Sequence, residues 1–193
     1  MAGNNGRIGV ADRAGRASPE PASSLGHSAA IPCAERFFVD CEFDGHGGPL
    51  LSIALVHEGG CSIHVSTDQR PCDPWVEQNV MPIMHQHGAT TESVNVPINS
   101  VGMVLRAWLG DVSHPVFVAD SPVDIGRVCV ALSTDERGGW ASCGYPKMSF
   151  EVHNVDCYPT ALEGAVQHNA WWDAMALRSK LNETGGSNGQ ARS

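Results

Sequence analysis

The sequence predicts an α/β domain built on a mixed β-sheet, and the order of its apolar segments carries this prediction. Three strand-like segments come first, at residues 37–43, 50–57 and 61–66, and short glycine-rich turns join them. Such an arrangement is typical of an antiparallel meander. Beyond residue 74 apolar residues recur at intervals of three and four, so helices then alternate with short strands. Together these observations indicate a five-stranded mixed sheet flanked by helices.

The elements after the meander follow from periodicity and from the placement of proline. Pro122 stands where a helix can begin without losing a hydrogen bond, because the first helical N–H has no partner within the helix. The run Pro-Val-Phe-Val-Ala that precedes it is short and wholly apolar, as in a buried strand. The predicted helices cover residues 74–84, 97–109, 122–132 and 169–181, and the two further strands cover residues 115–119 and 147–152.

The two ends of the chain differ in composition from its middle. Residues 1–34 are rich in Gly, Ala, Ser, Asn and Pro and show no clear period. Residues 183–193 have a similar composition, so both segments are predicted to be flexible tails. The remainder, residues 35–182, is predicted to form one folded domain.

Several features of the sequence predict a soluble protein of the cytoplasm. The first thirty residues lack the long apolar stretch of a secretory signal. No apolar run approaches the roughly 20 residues that a membrane span needs. The seven cysteines are scattered and form no C-x-x-C pair, which fits a reducing compartment better than a disulfide framework.

The charge of the chain is concentrated in the predicted domain. The net charge is −9; residues 1–34 carry three arginines against two acids, and residues 183–193 are neutral, so the middle carries about −10. A nucleic-acid binder usually shows a basic excess. Either this protein does not grip long nucleic acid, or its carboxylates serve a metal site and its contact with substrate is short.

The first strand carries an acidic pair on one face. Side chains alternate along a strand, so Phe38, Asp40 and Glu42 project to one side, opposite to Val39 and Cys41. Two carboxylates held this close repel each other unless a positive group lies between them. Carboxylate oxygens suit Mg²⁺ or Mn²⁺, whereas ordinary surface acids on a solvent-facing strand are the alternative.

A second acidic pair, Asp120 and Asp124, brackets the predicted start of a helix after an apolar strand. Capping is one explanation, because Ser121 can cap the helix and Asp124, three residues later, completes a capping-box-like pattern. The other explanation is a ligand site, since α/β sheets bind ligands at the carboxyl ends of their strands.

His168 and Asp173 lie five residues apart near the last predicted helix. On one continuous helix they would point about 140° apart. The pair makes more sense if Asn169 caps the helix, so that Asp173 lies in its first turns and His168 stands just outside. Histidine side chains can take a proton from water near neutrality. An exposed histidine without a function is the alternative.

Taken in order, Asp40-x-Glu42, Asp124 and His168-x4-Asp173 resemble the motifs of the DEDDh family of 3′→5′ exonucleases. The resemblance spans roughly residues 36–182 and implies a ribonuclease-H-like fold. The sequence looks most like the small stand-alone exoribonucleases whose first motif is Asp-x-Glu-Phe. Phe43 stands where many members have threonine, and Asp120 stands where many have asparagine, which makes Asp120 a rival of Asp124 for the metal.

The resemblance implies a mechanism with two Mg²⁺ or Mn²⁺ ions. It implies that Asp40 bridges both ions, that Glu42 and Asp173 complete one site, and that Asp124 holds the other. His168 would take the proton of the attacking water, and Phe43 would wedge against the terminal base. The implied reaction releases nucleoside 5′-monophosphates from the 3′ ends of RNA or short oligonucleotides, and family members often form homodimers. A DNA exonuclease of the proofreading or repair type and a catalytically inactive nucleic-acid-binding module are the alternatives.

Two other groups of residues are candidates for sites. Trp171 and Trp172 flank the last motif and could stack on a base, but at least one is expected in the core. His85-x-His87, with Cys72 nearby, matches no strong zinc-binding pattern and is not predicted to bind zinc from its spacing.

Overall fold

The described residues form a six-stranded mixed sheet with helices on both faces. This computed structural model describes residues 35–89, 91–141, 147–156 and 159–187. The strand order is β4-β3-β2-β1-β5-β6. The strands are β1 (Glu35–Phe43), β2 (Leu50–His57), β3 (Ser62–Thr67), β4 (Glu92–Val96), β5 (Pro115–Ala119) and β6 (Ser149–Val152).

The directions of the strands give the ribonuclease-H-like pattern. β2 is antiparallel to both β1 and β3, whereas β1 is parallel to β5 and β5 is parallel to β6. Without β4, the strand order is β3-β2-β1-β5-β6, and only β2 is antiparallel to the other strands. This is the order and direction of the strands in the five-stranded ribonuclease-H-like sheet. The α/β fold predicted from the sequence is therefore confirmed, and the three-strand meander is present where it was predicted.

The sixth strand, β4, was not predicted. It pairs parallel to β3 at the edge of the sheet, from Ile63 opposite Glu92 to Thr67 opposite Val96. Its residues are mostly exposed and alternate polar with apolar only weakly. Backbone pairing with a strongly buried neighbour, rather than an apolar side-chain pattern, therefore gives this segment its strand conformation.

In the described part of the chain, four α-helices pack on the sheet. They are α1 (Pro74–Asn79), α2 (Val101–Leu109), α3 (Pro122–Ser133) and α4 (Ala170–Ser187), and short 3₁₀ turns cover Ile98–Ser100 and Pro159–Ala161. The helix predicted at 74–84 ends at Asn79, because Pro82 disfavours helical geometry in the residue before it. The last helix continues to Ser187, past the predicted end at 181, although Gly185 and Gly186 have low helix propensity.

The two faces of β1 belong to two different cores. Phe37, Val39 and Cys41 point to the side of the sheet that α2 and α3 cover. Phe38 points to the opposite side, where it packs with residues of α4 such as Leu177. The alternation predicted for β1 is thus present. None of the helices in the described part of the chain is long and apolar enough to cross a bilayer.

Candidate metal centre

Five carboxylates converge where β1 passes the end of β5. They form two groups, and within each group one oxygen atom per residue lies within 4.8 Å of the others. The first group contains Asp40, Asp120 and Asp124, and the second contains Asp40, Glu42 and Asp173. Asp40 therefore belongs to both, which makes this cluster a place that could hold metal ions.

The sheet leaves an opening for this cluster beside β1. The β1–β5 ladder runs from Glu35 opposite Pro115 only as far as Phe38 opposite Val118, whereas β1 continues to Phe43. Beyond Phe38 the side of β1 that faces β5 has no strand partner among the described residues. The carboxylates that follow β5 can therefore approach β1 from the side.

The Asp124 carboxylate contacts β1 and also accepts a hydrogen bond from its own backbone N–H in the first turn of α3. Ser121 caps α3 by accepting a hydrogen bond from the Val123 N–H at 3.1 Å. Asp124 is only 4% exposed, and its carboxylate accepts a hydrogen bond from the backbone N–H of Cys41. The cap predicted at Ser121 is confirmed, and the Asp124 carboxylate contributes to the acidic cluster.

The start of α4 positions Asp173. The Asn169 side-chain oxygen accepts hydrogen bonds from the N–H groups of Trp171 at 3.1 Å and Trp172 at 3.2 Å, which confirms it as the helix cap. In return the Asn169 N–H donates to Asp173 Oδ2 at 3.1 Å, and the His168 N–H also donates to this carboxylate. Two backbone donors thus fix the orientation of Asp173.

Burial and mutual repulsion perturb the acids of the cluster. Burial, followed by the charges of Asp124, Asp173, Glu42 and Asp120, raises the pKa of Asp40 well above its usual range. Burial and the neighbouring carboxylates raise the pKa of Glu42 to about 8. Every charge that acts on Asp40 here is another carboxylate. A divalent cation bound to these oxygens would remove the repulsion.

The outer acids are perturbed in the same direction. Burial, and then the charge of Asp120, raises the pKa of Asp124 to about 7, although the hydrogen bonds from Cys41 act against this rise. Burial raises the pKa of Asp173 to about 6, against the hydrogen bond from Asn169. Such shifts in several adjacent carboxyls are typical of functional sites.

A scan of protein-family models and a search of curated proteins find no match to this chain. The fold and the acidic cluster are therefore the observations on which a function can be proposed.

His168 lies just outside α4, in an uncommon backbone conformation. Its φ angle is +60°, which few residues other than glycine adopt. The side chain is exposed, and its ring meets the ring of Trp75 edge-on, with 5.1 Å between the ring centroids. His168 belongs to neither carboxylate group, but it directly precedes the residue that caps the helix of Asp173.

The residues predicted to contact substrate differ in burial and in packing partners. Phe43 is half-buried, packs against the core beneath α2 and α3, and lies under the guanidinium of Arg127 at 4.8 Å. Trp171 is 6% exposed and donates from Nε1 to Ser62 Oγ at 2.9 Å, so it is a core residue, as expected for one of the two tryptophans. Trp172 is half-buried beside it.

Sequence reasoning missed how α1 is attached next to the cluster. Asp44, two residues after Glu42, accepts hydrogen bonds from the backbone N–H groups of Cys72 at 2.8 Å and Asp73 at 2.9 Å. Asp73 in turn caps α1, which begins just before Trp75 and brings this side chain to His168. These residues are far apart in sequence, and no local pattern predicts the contact.

Proposed function

We propose that this protein is a metal-dependent 3′→5′ exoribonuclease that releases nucleoside 5′-monophosphates from RNA 3′ ends. The observation that carries the proposal is the pair of carboxylate groups that share Asp40. Their members follow the order of the DEDDh motifs along the chain, on a sheet of ribonuclease-H-like topology. His168 and Asp173 lie on either side of Asn169, the residue that caps the last helix.

The chemistry of the donor set favours Mg²⁺ or Mn²⁺. All five donors are carboxylates, and hard divalent cations prefer oxygen ligands. We assign Asp40 to both ion positions, Glu42 and Asp173 to one, and Asp124 to the other, with Asp120 as its competitor. Two ions bound in this way would lower the pKa of an attacking water and stabilise the leaving oxygen of the phosphodiester.

The protein side chains supply orientation and proton transfer. The backbone N–H groups of His168 and Asn169 hold the Asp173 carboxylate toward Asp40, and the Cys41 N–H holds Asp124 in the same way. His168 is exposed and directly precedes the cap of the helix that carries Asp173, and its ring is proposed to accept a proton from a water at the cluster. Phe43 is proposed to contact the terminal base.

The charge distribution favours short substrates over long duplexes. The chain carries a net charge of −9, and a long polyanion would be repelled where the phosphates have no basic partners. RNA 3′ ends or short oligonucleotides need only a few contacts. All four cysteines in the described part of the chain are free thiols, which is in keeping with a cytoplasmic location.

Matched oligonucleotides test the proposal directly. RNA and DNA oligomers of one sequence, labelled at either end, would be incubated with the protein and Mg²⁺ or Mn²⁺, and with a chelator as control. We expect the 3′ label to leave first as a mononucleotide and the 5′ label to give a shortening ladder, with RNA cleaved faster. Preference for DNA would favour a repair-type exonuclease. Binding without any metal-dependent cleavage would favour an inactive binding module and refute the proposal.

Asp40→Asn provides the matched variant for this assay. It removes the one carboxylate common to both groups and leaves the side-chain size nearly unchanged. The purified variant should fold and show no cleavage above the chelator control. Unchanged cleavage by this variant would locate the activity outside the acidic cluster.

A further inference from the structure

A second cluster of metal-ligand side chains lies on the same face of the sheet, away from the carboxylates. His64 of β3 is fully buried, and neither of its ring nitrogens has a hydrogen-bond partner among the residues that the structure describes. An unpartnered buried polar group is unfavourable and calls for a physical explanation. In a neutral imidazole one ring nitrogen can bind a metal ion, and the other carries a proton and can donate a hydrogen bond.

Two further histidines cover His64. The ring centroid of His87 lies 5.5 Å from that of His64, and the ring centroid of His85 lies 6.3 Å away. Two imidazoles bound to one tetrahedral ion through nitrogen bonds of about 2.0–2.1 Å have their centroids roughly 5 Å apart. The three rings are thus close to the separation that a shared ion requires. His85 is exposed. His87 is half-buried, and its Nδ1 lies 3.4 Å from the Gly88 carbonyl oxygen, which leaves Nε2 for an ion.

The backbone that carries these two histidines is held in place on both sides. The Asn169 side-chain amide donates to the carbonyl oxygens of Ile83 at 2.7 Å, Met84 at 3.2 Å and Gln86 at 3.3 Å. Gly88 packs so closely on the Trp171 ring that an added Cβ would lie 2.7 Å from it. These contacts hold the backbone of residues 83–88 against the sheet. The nitrogens of the three histidines do not all lie within 4.8 Å of one another in this conformation, so binding one ion would require their side chains to rotate.

We propose that His64, His85 and His87 form a second metal site, which takes a transition-metal ion such as Zn²⁺. Imidazole nitrogens suit Zn²⁺, Cu²⁺, Ni²⁺ and Co²⁺, whereas Mg²⁺ prefers the oxygens of the acidic cluster. Three protein ligands leave the exposed side of the ion open to water. The spacing of His85-x-His87 alone indicated no zinc site, because the third ligand comes from β3, earlier in the chain.

The electrostatics of His64 are compatible with this role. Burial, followed by the neighbouring rings of His87 and His85, lowers the pKa of His64 to about 4. The ring is therefore neutral at physiological pH, and a neutral imidazole is the form that binds a metal.

The histidine site is separate from the acidic cluster, but Asn169 forms hydrogen bonds with residues at both sites. Asp40 pairs with Ala54, and Ala54 pairs with His64, so the two sites lie two strands apart, about 10 Å. Asn169 contacts both: its N–H donates to Asp173, and its amide holds the segment that bears the histidines. An ion at the histidine site would stiffen this connection.

Cobalt substitution tests the proposal without relying on nuclease activity. After chelator treatment and dialysis, the full chain would be titrated with Co²⁺ and its visible absorption recorded. Nitrogen ligation in a tetrahedral site gives intense bands, whereas an oxygen-ligated octahedral site gives weak ones. We expect one strongly absorbing Co²⁺ per chain, which Zn²⁺ displaces and excess Mg²⁺ does not.

The matched variants are His85→Ala/His87→Ala, His114→Ala and Asp40→Asn/Glu42→Gln. The double histidine variant changes two side chains on the segment over His64 and should fold, which circular dichroism would check. Because loss of an outer-shell partner alone costs roughly 10–100-fold in metal affinity, loss of two ligands should weaken Co²⁺ binding about a hundredfold or more. His114 directly precedes β5, at the end of this strand that lies away from the acidic cluster. His114→Ala should therefore keep the intense bands, and so should the acidic-cluster variant.

The outcomes separate this proposal from the nuclease. Intense bands that survive in the folded double histidine variant, or a wild-type protein that gives only weak bands, would overturn the histidine site. Bands lost only in the acidic-cluster variant would assign the ion to the carboxylates instead. RNA cleavage could persist or fail independently of all three results.

Discussion

Replacing Glu42 by glutamine should stabilise the protein in the absence of divalent ions. The folded protein raises the pKa of Glu42 from 4.5 to about 8, through burial first and then through Asp173 and Asp124. A carboxyl whose pKa is raised on folding stabilises the folded state fully below its unfolded pKa. This stabilisation is lost as the pH rises toward the folded pKa. Glu42 therefore opposes folding at neutral pH, and a neutral glutamine does not.

The size of the effect follows from the two pKa values. Between pH 4.5 and pH 7 the free energy of unfolding of the wild-type protein falls by about 1.4 kcal/mol for each pH unit, which is about 3 kcal/mol in total. Solvent reaches the half-buried side chain and screens the charges, so about 1–3 kcal/mol is expected at pH 7. Near pH 4 the difference should approach zero.

Urea unfolding measured with a chelator at pH 4.5 and pH 7 tests this expectation. The control is Glu136→Gln, at an exposed position, which should change the free energy of unfolding little at either pH. Added Mg²⁺ should stabilise the wild-type protein at pH 7 more than the variant, because the variant lacks one ligand. A Glu42→Gln protein that is less stable than wild type at pH 7, or equally stabilised at both pH values, would refute the reasoning.

Further substitutions test the roles at the site. His168→Ala should lower turnover by about 10²–10⁴-fold, as expected for loss of a general base, while calorimetry still shows Mn²⁺ binding; the same loss in His114→Ala would contradict this role. Asp124→Asn and Asp120→Asn should differ in turnover, because the variant that keeps activity identifies the residue that is not a ligand. Asn169→Ala should cost about 0.5–2 kcal/mol in thermal unfolding for the lost cap alone, and an unchanged Tm would show that the cap contributes nothing.

The sequence predicted most of the fold because local signals agree with the tertiary structure. The strand at Leu50–His57 and the strand at Pro115–Ala119 lie where their apolar runs predict them, since both are buried along almost their whole length. β4 escaped prediction because an exposed edge strand needs little apolar content. The end of the last helix was predicted too early, since its glycines indicate a stop that the structure does not have.

The candidate site was predictable where its residues lie close in sequence. Asp40 and Glu42 share a strand face, and Asn169 caps the helix of Asp173, so local periodicity and capping rules suffice. The spacing along the chain favours Asp124 over Asp120 as the ligand. In the structure both carboxylates reach the Asp40 oxygens, so proximity does not distinguish them. The contact of Trp75 with His168 depends on where α1 packs in the fold, and no local sequence rule predicts that position.

The strict alternation along β1 limits how this protein can be altered. One residue inserted into β1 would turn the carboxylates into the core beneath α2 and α3 and would turn core side chains outward. Neither natural variation nor protein engineering can therefore shift the acidic pair gradually along the strand. Changes of substrate preference are instead expected in connecting segments such as residues 68–73, where insertions leave the register of β1 intact.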